Sequence, residues 1–396
     1  MSQQVLVIGA GPAGTRCALR AAEGGARVTL CGAEAALPYD RVALSALLAG
    51  EKTLPELIPH DLRGLQDRGV AFRPATPIAA LDRAARAAVT ARGERIPYDR
   101  VVIATGSRAI RLNVPGAGLP GVLTYRTLDD VRAMLRAARG GGSAVVVGGG
   151  LLGLEAAAGL ARRGMTVTVL HPVEWPMERQ LDAGAGGLLA RRLGRGGIRF
   201  AMPAQLAAIE GEGRVAGVLL ADGRRIAAQI VVMAVGIRPD TTLAAAAGLA
   251  IGRGIMADAV MRSSDPDILA IGECAEVEGR IIGLVAPALE QAEIAAATLT
   301  GGAVRYAPRA ESVALKVSGT AVWSAGEIEG EGVTLRDEEE DRYRRLFLRG
   351  DRLVGAVLYG DVADSGFYLD LIASGRRVGR HAAALALGPA FAREMA

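Results

Sequence analysis

The residues best placed to do chemistry in this sequence are two glycine-rich turns. Gly9-Ala10-Gly11-Pro12-Ala13-Gly14 follows the apolar run Val5-Leu6-Val7-Ile8, and Gly148-Gly149-Gly150-Leu151-Leu152-Gly153 follows Ala144-Val145-Val146-Val147. Each run is short and rich in β-branched residues, which suits a strand buried on both faces, and each turn opens an alanine-rich segment that reads as a helix. A strand, a tight glycine turn and a helix N-terminus make an anion site: backbone N–H groups face the ligand, and the missing Cβ atoms let a pyrophosphate approach. One such turn is a weak signal. Two in one chain, each in strand-turn-helix context, point to a protein that brings two dinucleotides together. The expected pyrophosphate contacts are Gly9, Gly11, Pro12, Ala13 and Gly14 in the first turn, and Gly148, Gly150, Leu151, Leu152 and Gly153 in the second.

The fingerprint also calls for an acid about twenty residues past the turn, to accept hydrogen bonds from the adenosine ribose. Glu34 answers in the first half, just beyond the strand-like Arg27-Val28-Thr29-Leu30-Cys31; a surface-loop glutamate is the alternative reading, because Gly32 and Ala33 intervene. In the second half the corresponding strand ends at Leu170-His171-Pro172-Val173-Glu174, where His171 is not an acid and Glu174 comes three residues late. No arginine follows immediately, which favours NADH, while Arg162, Arg163 and Arg179 keep NADPH open. The three cysteines, Cys17, Cys31 and Cys274, form no close pair, and His60, His171 and His381 are the only histidines. A redox disulfide, an iron–sulfur centre and a zinc site are therefore not expected. Redox chemistry has to come from a bound organic cofactor.

The elements that must hold these residues fall into three parts. A chain of 396 residues, 51% of them hydrophobic, exceeds the size at which single cores stop growing. The pattern predicts a β-α-β unit from the N-terminus to about Ile110, a glycine- and proline-rich linker over 116–121, and a second β-α-β unit ending in Ile230-Val231-Val232-Met233-Ala234-Val235-Gly236. That ending echoes Val101-Val102-Ile103-Ala104-Thr105-Gly106. Past about Tyr306 the texture changes to alternating short strands with an acidic loop near Glu338-Glu339-Glu340-Asp341, which predicts a smaller α+β domain. A net charge of +4, with arginines scattered among acids, gives no support to nucleic-acid binding, and no apolar run is long enough to span a bilayer. The sequence reads as cytoplasmic, monomeric or homodimeric.

The order of the first fingerprint, Ala104-Thr105-Gly106, the second fingerprint, Gly236-Ile237-Arg238-Pro239-Asp240 and Ile271-Gly272-Glu273-Cys274-Ala275 resembles the FAD-dependent pyridine-nucleotide reductases of the two-dinucleotide-domain type. Pro38-Tyr39-Asp40-Arg41-Val42-Ala43-Leu44-Ser45, Met177-Glu178-Arg179-Gln180-Leu181-Asp182 and Gly283-Leu284-Val285-Ala286-Pro287 are similar to the flavin portion of the NAD(P)H-dependent assimilatory nitrite reductase large subunit. The resemblance implies an α/β fold with two Rossmann-like dinucleotide-binding domains, for FAD and NAD(P)H, plus a small C-terminal α+β domain. The implied segments are 1–115 and 236–305 for FAD, 116–235 for the nicotinamide coenzyme and 306–396 for the interface domain.

By the same resemblance, Gly9, Gly11 and Gly14 hold the FAD pyrophosphate and Glu34 the adenosine ribose. Arg41 lies near the phosphates or the flavin and is a candidate catalytic residue. Ala104, Thr105, Gly106, Gly236 and Gly272 border the cofactors, Glu273 binds the ribityl chain, and Val285, Ala286 and Pro287 border the isoalloxazine. Glu155, in the first turn of the second fingerprint helix, is either the acid beside the nicotinamide carboxamide or a helix-dipole acid. Trp323 either approaches the flavin edge or packs at a domain interface. The implied activity is hydride transfer from the nicotinamide to flavin N5, with electrons passed to a separate acceptor such as rubredoxin, ferredoxin or a nitrite or nitrate reductase subunit. Without cysteine clusters this chain is not expected to reduce nitrite by itself. Two alternatives stand beside this reading: an NADH oxidase, and an NAD(H)-responsive interaction module resembling apoptosis-inducing factor.

Overall fold

The apolar runs before the two glycine turns are the central strands of two parallel sheets. This is seen in a computed structural model that describes residues 2–307, 312–317, 319–337, 339–379 and 382–394; His381 and Glu338 lie outside the described residues. The chain forms two units, one from residues 1–109, 126–129 and 237–307, the other from 110–125, 130–236 and 308–396.

In the first unit the five strands lie in the order Ile268–Ala270, Arg100–Ile103, Gln4–Ile8, Arg27–Cys31, Val70–Arg73, all parallel. Val5, Leu6, Val7 and Ile8 are all buried, as a strand covered on both faces requires. The helix Pro12–Glu23 packs along Val285–Leu299, and their alanines bring the two axes together. The outer edge strand, Ile268–Ala270, comes from the third chain segment of the unit, so the sheet closes only after the chain has built most of the second unit. A small antiparallel sheet of Ile78–Asp82, Ala87–Thr90 and Arg95–Pro97 completes this unit.

The second unit repeats the plan. Its parallel sheet runs Arg199–Ala201, Met165–Leu170, Gly142–Val147, Ile230–Met233, Val122–Thr124, with a three-stranded antiparallel sheet of Leu206–Glu210, Gly217–Leu220 and Arg225–Ala227. The stretch 116–121, expected as a linker, is instead docked on that small sheet. Ile209 donates its N–H to Pro115 O at 2.8 Å and Val215 to Pro120 O at 3.0 Å, and a Cβ on Gly116 would lie 1.9 Å from Ile209 O. The glycine serves close packing there, not mobility.

The same unit carries a five-stranded antiparallel sheet, ordered Ser312–Val317, Thr320–Gly326, Arg352–Tyr359, Arg342–Arg349, Gly332–Asp337. Helices Ser365–Ser374 and Ala382–Ala386 pack on it over a core that includes Leu346, Leu358 and Tyr368. The architecture is the α/β class with two dinucleotide-binding units and a C-terminal α+β layer that the sequence led us to expect. Among the described residues no helix is long and apolar enough to cross a membrane.

Candidate functional site

The two glycine turns are built alike atom by atom. Gly9 and Gly148 adopt φ of +113° and +112°, a region that side chains avoid, and a Cβ on either would run into the carbonyl oxygen of Ala104 (2.1 Å) or Ala234 (2.3 Å). A Cβ on Gly14 or Gly153 would lie 1.9 Å from the carbonyl oxygen of Gly9 or Gly148. These four glycines are required by the protein's own packing. The middle glycines are different: a Cβ on Gly11 or Gly150 would meet nothing within 4 Å. Both sit at helix N-caps in extended backbone (φ −75° and −74°), with no side-chain cap for the N–H groups of the first turn. Each turn therefore presents uncapped helix N–H donors beside an open space, the arrangement that receives a phosphate oxygen.

Around the first turn, Glu34 lies past the strand Arg27–Cys31 and holds two partners. Its Oε1 accepts from Arg41 at 2.8 Å and its Oε2 from the Tyr39 hydroxyl at 2.8 Å. A carboxylate has about four acceptor sites, so two remain for a ligand hydroxyl. Arg41 stacks over the Tyr39 ring at 5.1 Å and donates to Arg126 O at 2.6 Å. Burial pushes the Tyr39 phenol up, so it stays a donor at neutral pH. Gly272 adopts φ +75°, where a Cβ would lie 3.3 Å from Ala13 on the fingerprint helix, and its N–H donates to the buried Gln291 at 2.7 Å. Glu273 follows, ion-paired to Arg126 and accepting from Ser107 at 2.8 Å. Thr105 donates its hydroxyl to Asp240 O at 2.7 Å, next to Gly106 at φ +69° and the buried Ala104. The helix Val285–Leu299 begins with Val285 and Ala286 exposed and Pro287 half-buried, leaving an apolar face at its start.

In the second unit, Leu151 and Leu152 open the helix Leu151–Arg162, with Leu152 exposed. Glu155 is half-buried, and because the helix starts at Leu151 it stands in the second turn, not the first. The macrodipole effect is concentrated in the first turn, which weakens the helix-dipole reading. His171 is 5% exposed, and Glu174 is exposed. Gly236 has φ +115° and accepts from Ile110 N–H at 3.0 Å. Trp323 is 3% exposed in the core of the C-terminal sheet, opposite Leu358 on the neighbouring strand.

Comparison with known proteins resolves the class. The profile described as pyridine nucleotide-disulphide oxidoreductase matches residues 3–295, and that of the rubredoxin NAD⁺ reductase C-terminal domain matches residues 312–376. The chain belongs to the pyridine nucleotide-disulphide oxidoreductase family. It is 38% identical over 378 residues to the nitrite reductase [NAD(P)H] of Bacillus subtilis (strain 168), covering 93% of this chain and 47% of the relative, so the chain spans about half that relative's length. It is 34% identical to the ferredoxin–NAD⁺ reductase component of the biphenyl dioxygenase system of Paraburkholderia xenovorans (strain LB400), covering 88% of this chain and 87% of the relative. The crystal structure of the ferredoxin reductase for the CYP199A2 system from Rhodopseudomonas palustris superposes with a TM-score of 0.89 at 30% identity, over 100% of both chains.

The cofactors of this pyridine nucleotide-disulphide oxidoreductase are FAD and NAD(P)H. The residues present fit two dinucleotides, since Gly11 and Gly150 are glycines that the protein's own atoms do not demand. The disulphide in the family description has no counterpart in chemistry here. All three cysteines are free and buried, and burial pushes Cys17 up to about 12 and Cys31 up to about 11, with Cys274 raised as well. Thiols in that state stay protonated at neutral pH and are poor nucleophiles. Sequence reasoning missed Arg126, Ser107 and Gln291, which the structure places against Glu273 and Gly272. Arg126 has no signal in spacing, because it reaches Glu273 from a distant chain segment.

Proposed function

We propose that this chain is an FAD-containing NAD(P)H oxidoreductase, with NADH favoured, that passes electrons to a separate carrier or reductase component of rubredoxin, ferredoxin, or nitrite or nitrate reductase type. The observation that supports it most is the matched pair of open glycine turns, each carrying a middle glycine beside open space that no protein contact demands. In the first unit Gly9, Gly11 and Gly14 would hold the FAD pyrophosphate, Glu34 the adenosine ribose with its two remaining acceptor sites, and Glu273 the ribityl hydroxyls. In the second, Gly148, Gly150 and Gly153 would hold the coenzyme pyrophosphate and Glu155 the carboxamide end. Bound FAD supplies a two-electron acceptor for hydride that can release electrons singly, and the protein's part is to align and to shield. Buried, protonated thiols support an acceptor outside the chain, as do relatives that include a ferredoxin reductase component. We take the reaction to be cytoplasmic, where reduced pyridine nucleotide turns over.

The test is steady-state NADH oxidation by the FAD-loaded protein, with and without rubredoxin or a [2Fe–2S] ferredoxin. The expected result is carrier reduction at least about tenfold faster than oxygen consumption. NADH oxidation that ignores every carrier and consumes oxygen stoichiometrically would make the protein an oxidase.

A further inference from the structure

The second fingerprint lacks an acid where its strand ends, and the structure supplies one from elsewhere. Past Met165–Leu170 the chain reaches His171, whose polar atoms are all engaged. Its N–H donates to Ala201 O (3.1 Å), its carbonyl accepts from Ala204 N–H (2.8 Å), and its Nδ1 accepts from Gly149 N–H (3.1 Å). Gly149 is part of the glycine turn itself, and the imidazole lies so close that a Cβ there would be 2.8 Å from the ring. Because Nδ1 is an acceptor, the ring proton sits on Nε2, which faces Glu178 Oε2 at 2.9 Å. A second tie acts on the same segment. Met177, fully buried at φ +59°, donates its N–H to Gly149 O at 3.0 Å, so that residues 177–178 are fastened to the turn by backbone as well as by side chain.

Glu178 is thus a carboxylate pinned beside the glycine turn. Its side chain is 30% exposed, and no partner of its Oε1 is found among the described residues. Glu174, the acid nearest in sequence to the strand end, is exposed, and no hydrogen bond or ion pair of its side chain is found among the described residues. We propose that Glu178, positioned by His171, accepts the adenosine ribose 2′-hydroxyl of the nicotinamide coenzyme and is the residue that selects NADH over NADPH; this rests on the reductase reading above. A fixed carboxylate accepts from a hydroxyl and repels a 2′-phosphate, so one group both recognises NADH and rejects its phosphorylated analogue.

The test uses calorimetric binding to the FAD-loaded protein, which does not depend on turnover. Wild-type protein is expected to bind NADH more tightly than NADPH, and to lose roughly tenfold in affinity for NADH lacking the adenosine 2′-hydroxyl. In Glu178→Gln, which keeps the shape, the NADH-to-NADPH affinity ratio is expected to fall by roughly 30-fold. The 2′-deoxy analogue should then bind about as well as NADH. His171→Asn is expected to lower the same ratio, with little further change when Glu178→Gln is added, as a positioning role requires. Wild-type protein that binds NADH and its 2′-deoxy analogue equally, or a ratio that moves with Glu174→Gln and not with Glu178→Gln, would overturn this assignment alone. Wild-type protein that binds neither coenzyme would overturn the reductase reading beneath it.

Discussion

At the scale of single residues, the glycines of one turn do two different jobs, and alanine separates them. Gly14→Ala drives a methyl group into Gly9 O at 1.9 Å, so it should disrupt the turn and yield protein that melts earlier and retains little flavin. Gly11→Ala meets no protein atom and should leave the apoprotein's melting temperature nearly unchanged while lowering FAD affinity about tenfold or more. Equal loss of stability in both variants would contradict the assignment of Gly11 to a ligand. This pattern was legible in the sequence because glycine spacing reports backbone geometry directly. The side-chain partners were not. Tyr39 and Arg41 converge on Glu34, and Glu178 on His171, through loop paths and rotamers that leave no periodic trace.

At the scale of elements, strands and fingerprint helices followed from short β-branched runs ended by glycine, and the structure places a strand in each of these runs and a helix after each fingerprint turn. The exceptions have local causes. The stretch 116–121 has the composition of a linker, yet Gly116 lets backbone meet backbone at Ile209. The second fingerprint helix begins at Leu151 as expected, and counted from that start Glu155 is the fifth residue, in the second turn and not the first. Within the second unit, polar contacts of Asp182 join elements far apart in sequence. Asp182 caps the helix Ala183–Arg195 through Ala185 N–H and accepts the Tyr343 hydroxyl at 2.6 Å from the strand Arg342–Arg349, with Arg345 at 3.3 Å. Asp182 and Tyr343 are both buried, and burial together with Asp182 pushes the phenol up to about 12. Tyr343→Phe removes a charge-assisted donor from a buried carboxylate and is expected to cost about 1–3 kcal/mol. Thermal melts should show a lowered midpoint; an unchanged midpoint would mean that this contact joins the elements without stabilising them.

At the scale of the whole molecule, the chain visits each of its two units three times, and each unit is organised around a parallel sheet with an open glycine turn at the end of its middle strand. The repeat was readable because both halves carry the same glycine turn between a buried strand and a helix N-terminus. The order of the motifs then gave the family. The C-terminal sheet was readable only as a change of texture, because antiparallel strands in a small domain share no fixed motif with the fingerprints. The central claim is that a coenzyme held in the second unit reduces a flavin held in the first. An anaerobic titration of the FAD-loaded protein with NADH tests this most directly. The account predicts that about one equivalent of NADH bleaches the visible absorption of the oxidised flavin; fully loaded protein whose spectrum is untouched by saturating NADH and NADPH would contradict it.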